Sequence, residues 1–360
     1  MDFKEIPKLP NKFDPTDYIF VPLKMIKNNL HPIGRSISGF FPSRIHISPI
    51  DCNKFAFSKP GGGGIGFGIS SNNYLSLTLS QEFSYQGPEW YLPTVHRVIA
   101  IAERSFNLND CSFQVSLSLS PEVSSHCGFG SNAIIQSSIL FAINKLFNRP
   151  FDDEEIRFLI AANFAESDMG VCCPGLETGL ASAILAYGGF NLVGDKIVHI
   201  WQHSLECAKE VYLAKLDVPR PKFSGSEDED MLARSFREDL NDRGIRSYNI
   251  LMDLIPAISE GNLKKIGDSI WDIQFGGTHL SMIQSYGHKG AEIYDFICNA
   301  RYSGIEIVGM SSVGPVFFLI SNNSKKVELF LETRKIEYFK RNVQNESIYS
   351  GLKVDQLICD

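Results

Sequence analysis

Residues 124–147, SSHCGFGSNAIIQSSILFAINKLF, constrain this chain more than any other stretch: a glycine-bracketed turn runs straight into a long, almost uncharged helix. At such a start four backbone N–H groups lack intrahelical partners and the helix dipole is positive. Glycine lets the backbone come close to a phosphate, and Ser131 or Asn132 can cap the helix or donate to a ligand. Gly128, Phe129, Gly130, Ser131 and Asn132 are therefore candidate phosphate-binding residues. The lysine of a GxxxxGK[ST] loop is absent, so this is not a Walker A motif. An ordinary strand-to-helix connection with Ser131 as N-cap fits the same residues.

A chain of 360 residues suits two packed lobes, and 44% hydrophobic with 21% charged residues reads as a soluble globular protein. The net charge of −7 argues against a general nucleic-acid binder, though not against a local cationic pocket. Nothing approaches a membrane-spanning apolar run, and residues 1–15 lack the apolar core of a secretory signal, so the expected location is the cytoplasm. The eight cysteines and eight histidines form no CxxC or HExxH pairing, which argues against structural zinc and for buried free thiols.

The first forty residues read as an extended arm. Alternation predicts strands at 43–50, 65–70 and 111–119, and helical spacing predicts a helix at 91–106. After the glycine turn and its helix, Asp152 is a plausible N-cap for a helix reaching about 164, and a third helix is expected at 175–187, closed by Gly188-Gly189. Strands are expected at 190–193, 197–203 and 211–216. The polar stretch PRPKFSGSEDED at 219–230 marks the expected boundary between lobes 1–218 and 219–360. Beyond it come helices at 231–240, 247–261, 263–275 and 289–304 and strands at 304–310 and 316–321. Strands followed by packed helices give an α+β order.

Other constellations carry chemistry as well. Strand alternation puts Arg44 and His46 on one face, where they can engage a phosphate or carboxylate or form a solvated strand face. Asp51 ends that strand as a magnesium or ribose-hydroxyl ligand, or as a turn residue. GMSSVGP, with Ser311, Ser312 and Gly314, reads as a second backbone-lined anion loop or a plain hairpin connection. Glu166 and Asp168 in FAESDMG are candidate acids, bases or metal ligands. His126, just before the glycine turn, titrates in a range suited to acid/base work at neutral pH, or is a packed strand-end histidine.

Together PSRIHISPIDCN, GGGGIGFGI, HCGFGSN, TGLASAILAYGGF, FSGSEDEDML and GMSSVGPVFFLI stand in the order found in beta-ribofuranosylaminobenzene 5'-phosphate synthase-like proteins. The chain resembles this branch of the GHMP kinase superfamily over residues 42–320. The resemblance implies a two-lobed α+β GHMP kinase fold, with an N-terminal lobe like ribosomal protein S5 domain 2 and a ferredoxin-like C-terminal lobe. It implies transfer of ribose 5-phosphate from phosphoribosyl pyrophosphate to an aromatic or heteroaromatic carboxylate, with loss of pyrophosphate and CO2, as in methanopterin or C-nucleoside synthesis. Mg2+ and a homodimer are implied too. In that frame the loop at 128–132 holds pyrophosphate, and Arg44 and His46 supply charge. Asp51 or Glu166 holds magnesium, His126 is the acid/base, and Thr178, Gly179, Ser311, Ser312 and Gly314 line the donor and acceptor.

Two departures from the usual pattern of GHMP kinases disfavour ATP-dependent phosphorylation. The acidic position of their S-G-x-D segment is Ala181, and their GLGSSA loop reads Gly128-Phe129-Gly130-Ser131-Asn132-Ala133. The loop also departs from the GLGSGTQ of related archaeal synthases. An ATP-dependent small-molecule kinase and a catalytically silent binding protein remain the alternatives.

Overall fold

The computed structural model describes residues 5–54, 59–108, 111–121, 128–168, 170–218, 226–276 and 278–356. The first half of the chain builds β1 (Gly34–Pro49), β2 (Gly64–Ser80), β3 (Ser84–Gln86), α1 (Leu92–Ser105), β4 (Ser112–Ser118), α2 (Ser131–Leu146), α3 (Asp153–Ala162), β5 (Ala165–Asp168), β6 (Val171–Pro174), α4 (Leu180–Tyr187), β7 (Phe190–Val193) and β8 (His199–His203). The second builds β9 (Glu210–Lys215), α5 (Ser226–Asn249), α6 (Ile255–Ser259), α7 (Leu263–Phe275), α8 (Thr278–Gln284), α9 (His288–Tyr302), β10 (Ile307–Met310), β11 (Val316–Ile320), α10 (Ser324–Thr333), β12 (Glu337–Asn342), α11 (Ile348–Gly351) and β13 (Leu352–Gln356).

Two sheets organise these elements. The first has seven strands, ordered β13-β1-β2-β4-β3 with β7 and β8 added along β2, and the second has four, ordered β10-β11-β9-β12. β9 precedes residue 219 yet pairs in the second sheet, and β13 follows it yet pairs with β1 in the first. The proposed lobes 1–218 and 219–360 thus exchange one strand each.

Helix α2 is the axis of the first lobe. Every residue of it except Lys145 is buried, as an almost uncharged helix requires when apolar neighbours surround it. It packs between the sheet and helices α1, α3 and α4 within one apolar cluster. Lys145 donates to the carbonyls of Tyr349 and Leu352, which ties the end of the chain to this helix. α3 starts where Asp152 predicts, with a capping box between Asp152 and Glu155.

A second cluster joins the lobes. Ile45, Ile47, Ile65 and Phe67 of the first sheet pack in one cluster with Leu213 and Phe318 of the second sheet and Ile266 and Ile270 of α7. Buried Gln274 on α7 fastens this junction: Nε2 donates to the carbonyls of Ile47 on β1 and Met310 on β10, and Oε1 accepts the Met310 N–H. Buried Arg246 and Asp239 of α5 form an ion pair at the end of β1, where Arg246 donates to the Ile50 carbonyl and Asp239 accepts the Cys52 N–H.

Several expectations are corrected in detail. The strands at 43–50 and 65–70 are segments of 16- and 17-residue strands. Residues 175–179 are a loop, and α4 begins only at Leu180 because Gly179 adopts a left-handed φ of 78°. Helices expected at 231–240 and 247–261 are one helix, α5, continued through a π-helical turn (Ile250–Leu254) into α6. In place of an extended arm, residues 5–40 are a packed lead-in with a turn at 15–18 and a 3-10 turn at Leu23–Met25, and from Gly34 they belong to β1: Ile6, Leu9, Phe13 and Met25 are buried, and buried Arg97 donates to the Pro15 and Asp17 carbonyls.

Replacing Gln274 with Leu should destabilise the protein by roughly 3 kcal/mol or more, since each buried backbone group left without its partner costs about 1–3 kcal/mol. A urea midpoint equal to that of the wild type would show that this residue does not fasten the lobes.

Candidate functional site

The site forms where β1, the start of α2 and the loop before α4 converge on Arg44. Gly130 is the N-cap of α2, with a left-handed φ of 59° that glycine accepts without strain. Its missing side chain matters sterically too, because a Cβ there would stand 2.3 Å from the Arg44 guanidinium. Ser131 is therefore not the cap that the sequence suggests; its hydroxyl instead accepts from Tyr91 at 2.8 Å. The first α-helical bond runs from Ile134 N–H to Gly130 O, which leaves the N–H groups of Ser131, Asn132 and Ala133 ahead of it at the positive helix end. Asn132 Oδ1 is buried and has no hydrogen-bond partner among the described residues.

Arg44 brings a cation to this positive end. The side chain is partly exposed, yet its Nε is sealed from solvent and has no hydrogen-bond partner among the described residues. Burial lowers the guanidinium pKa, and the charges of Glu177 and Glu166 oppose that shift. A cation packed against a helix N-terminus is repelled by the dipole unless an anion lies between them. Glu177 is a residue the sequence reading missed. It is buried, it accepts the Gly179 N–H at 2.5 Å, and burial raises its carboxyl pKa against the pull of Arg44, that N–H and Arg157. A lone Glu in LETGL has no spacing signal; only the fold sets it beside a strand residue 133 positions earlier.

His46 does not supply charge, contrary to expectation. Burial, with Arg44 and His279 nearby, holds its pKa well below the ordinary histidine range, so the ring is neutral. Its Nε2 is buried without a partner among the described residues and lies 2.7 Å from where a Cβ on Gly64 would be, with Thr178 Oγ1 at 3.5 Å from that same point. Thr178 Oγ1 also accepts the Leu180 N–H. Thr178 and Gly179 thus do reach the neighbourhood of Arg44 and His46.

The loop with Ser311, Ser312 and Gly314 reaches the site in another role. Ser311 Oγ accepts the His46 N–H at 3.2 Å and donates to the Gly128 carbonyl at 2.7 Å. The Ser312 N–H donates to the His46 carbonyl, the Ser311 N–H to Val316 O and the Gly314 N–H to Ser311 O. With all three amides engaged, this loop is a clasp and not a second anion loop. Buried His279 braces it by donating from Nε2 to the Ser312 carbonyl, and its own pKa falls to about 4 through burial and Arg246. The phenyl ring of Phe129 is core, packed in the cluster shared by the lobes.

The two proposed metal ligands are engaged apart. Asp51 pairs with Arg243 of α5 at 3.0 Å and accepts the Asn53 N–H, whereas Glu166 lies within the field of Arg44. Among the described residues no group of three His, Cys, Asp or Glu side chains is placed to hold a metal. Magnesium, however, is commonly held by one or two carboxylates together with substrate phosphates. Glu166 and Asn132 Oδ1 suit that arrangement. His126 lies outside the described residues, and only the backbone of Asp168 lies within them.

No protein-family profile matches the sequence, and no curated protein matches it. Solved structures do match. Homoserine kinase from Cytophaga hutchinsonii is 14% identical, covers 91% of this chain and 99% of its own, and superposes with a TM-score of 0.56. Lactococcus lactis galactokinase in complex with galactose is 14% identical over 88% and 95%, at 0.60. Mevalonate-3-kinase from Thermoplasma acidophilum is 12% identical over 89% and 98%, at 0.61. The chain has the two-lobed α+β GHMP kinase fold. At such identities the likeness carries the fold alone.

Two measurements test the site. Gly130→Ala forces a side chain into a left-handed φ, at about 1–2 kcal/mol, and pushes Arg44 off the loop; pyrophosphate affinity should fall at least about 10-fold. Unchanged affinity would remove the loop from the site. His279 stays neutral in the fold but takes a proton below pH ~6.5 when unfolded, so stability falls as pH drops. With a folded pKa of about 4, its share at pH 5 is about 2 kcal/mol. Glu177, shifted up, contributes with the opposite sign, so the comparison with His279→Gln isolates the histidine. Urea unfolding of that variant should lose about that much of the difference between pH 7.5 and pH 5; an unchanged difference contradicts the neutral, buried ring.

Proposed function

We propose that this chain is an enzyme that binds the phosphate chain of a small-molecule donor at the N-terminus of α2 and transfers a group from it. The observation that carries this reading is Arg44, whose Nε has no partner among the described residues and whose guanidinium lies against Gly130 at a positive helix end. That pairing calls for an anion.

ATP-dependent phosphorylation of a small alcohol or hydroxy acid is the reading that the fold supports best. The solved neighbours are by title a homoserine kinase, a galactokinase and a mevalonate-3-kinase. In this reading a substrate oxygen attacks the γ-phosphorus, the bond to the bridging oxygen breaks, and ADP leaves. Phosphoryl transfer asks chiefly for positioning and charge stabilisation. Ala181, buried on α4 where the usual kinase pattern has an acid, does not by itself oppose it. Arg44 neutralises phosphate charge, the first-turn amides of α2 orient it, and Glu177 positions Arg44 and the Gly179 backbone. Glu166 and Asn132 would hold magnesium, which when bound neutralises the phosphate oxygens.

A second reading, decarboxylating transfer of ribose 5-phosphate to an aromatic or heteroaromatic carboxylate, draws support from Ala181 and from the ordered motifs of residues 42–320. There the C1–O bond of phosphoribosyl pyrophosphate breaks, pyrophosphate leaves to the same loop, and the acceptor carbon bonds to C1 as CO2 departs.

The experiment incubates the protein and magnesium with ATP plus homoserine, galactose and mevalonate, and separately with phosphoribosyl pyrophosphate plus aromatic carboxylates. Substrate-dependent ADP supports the first reading; pyrophosphate and CO2 formed only with an acceptor overturn it in favour of the second. Arg44→Met should weaken binding of either donor by about 100-fold, since charge-assisted bonds to phosphate are the strong ones. Full donor affinity in this variant would contradict both.

A further inference from the structure

Helix α5 is built inside out. Its inward stripe is polar where helices are usually apolar: Asp239 and Arg246 pair there, bonded to Thr278, Ile50 and Cys52, and only then do buried Ile250 and Leu254 follow. The opposite stripe carries Leu240, Ile245, Tyr248, Leu251 and Met252, exposed by 54, 64, 62, 53 and 58%. The π-helical turn at Ile250–Leu254 widens the spacing and keeps both Leu251 and Met252 on the outer face.

Gly244 sits in the middle of this outer stripe. Glycine is among the poorest residues for a helix interior, and among the described residues nothing calls for it here, since a Cβ would meet none of their atoms within 4 Å. A gap flanked by large apolar side chains is what the close approach of another helix uses. The exposed outer positions 240, 241, 244, 245, 248, 251 and 252 are uncharged; exposed Arg237, one turn before Leu240, is a cation on the same stripe, and a crossing at Gly244 sets it over Leu251 of the other copy and not against a second arginine. The five side chains expose on the order of 500 Å² per copy, at the upper end of what a monomer leaves bare. Two such faces bury on the order of 1,000 Å² together, where specific interfaces begin.

We infer that α5 pairs antiparallel with α5 of a second copy of this chain, crossing at Gly244. The two-fold axis sets Leu240 of each copy over Tyr248 of the other, a self-complementary contact. The interface lies on the face of α5 opposite Arg246 and Asp239, so it leaves the clasp at Ser311 and the Arg44 site free.

Sedimentation velocity of the full chain from about 1 to 100 µM tests this, because a dimer dissociates on dilution. The wild type should sediment as a dimer, with association at least 10-fold weaker in both Tyr248→Asp and Gly244→Leu. Gly244→Leu should keep its circular dichroism and melting temperature, since the space beside Gly244 is open, so a lost dimer is not a lost fold. In a Cys111→Ser background, Gly244→Cys should oxidise to a covalent dimer and Lys325→Cys should not. A wild type that stays monomeric throughout, or a dimer that both face substitutions leave unchanged, overturns the inference.

Discussion

One hydroxyl holds the site together. Ser311 Oγ accepts the His46 N–H on β1 and donates to the Gly128 carbonyl at the entry to α2. A Cβ on Gly128 would fall 2.3 Å from the Ser311 carbonyl, so the loop can close on the second lobe only because that residue is glycine. Strand, glycine turn and second lobe therefore meet at a point fixed by polar bonds inside an apolar junction. Buried polar groups of this kind are costly when unpaired, which makes the geometry specific. Gln274 and His279 extend the same fastening on either side.

Within that frame the charges sort themselves. His46 and His279 are neutral by burial, leaving Arg44 as the cation at the start of α2, with Glu177 and Glu166 as its counter-charges. Arg44 and the positive end of α2 thus stand together beside a loop that carries no lysine. Glu177 lies in the loop before α4, and Ala181 in the first turn of that helix.

Much of this was legible in the sequence. The glycine turn, the buried helix after it, the Asp152 cap and most strands follow from local pattern, and the ordered motifs pointed to the two-lobed fold. Where the reading failed, long-range contacts decided. His46 lost its charge because both faces of β1 are covered, which alternation cannot reveal. The amides of Ser311, Ser312 and Gly314 are taken by the carbonyls of Val316, His46 and Ser311, so a stretch that reads as an anion loop is a clasp. Glu177 has no motif of its own, and β13 is recruited by pairing with β1, more than three hundred residues away in the chain.

The measurement that bears most directly on this account is a crystal structure of the protein with inorganic pyrophosphate and magnesium, the fragment common to both donor readings. The account predicts pyrophosphate at the N-terminus of α2, bonded to the amides of Ser131 and Asn132, with the Arg44 guanidinium turned onto it. Pyrophosphate bound elsewhere, with Arg44 still against Gly130, would contradict it.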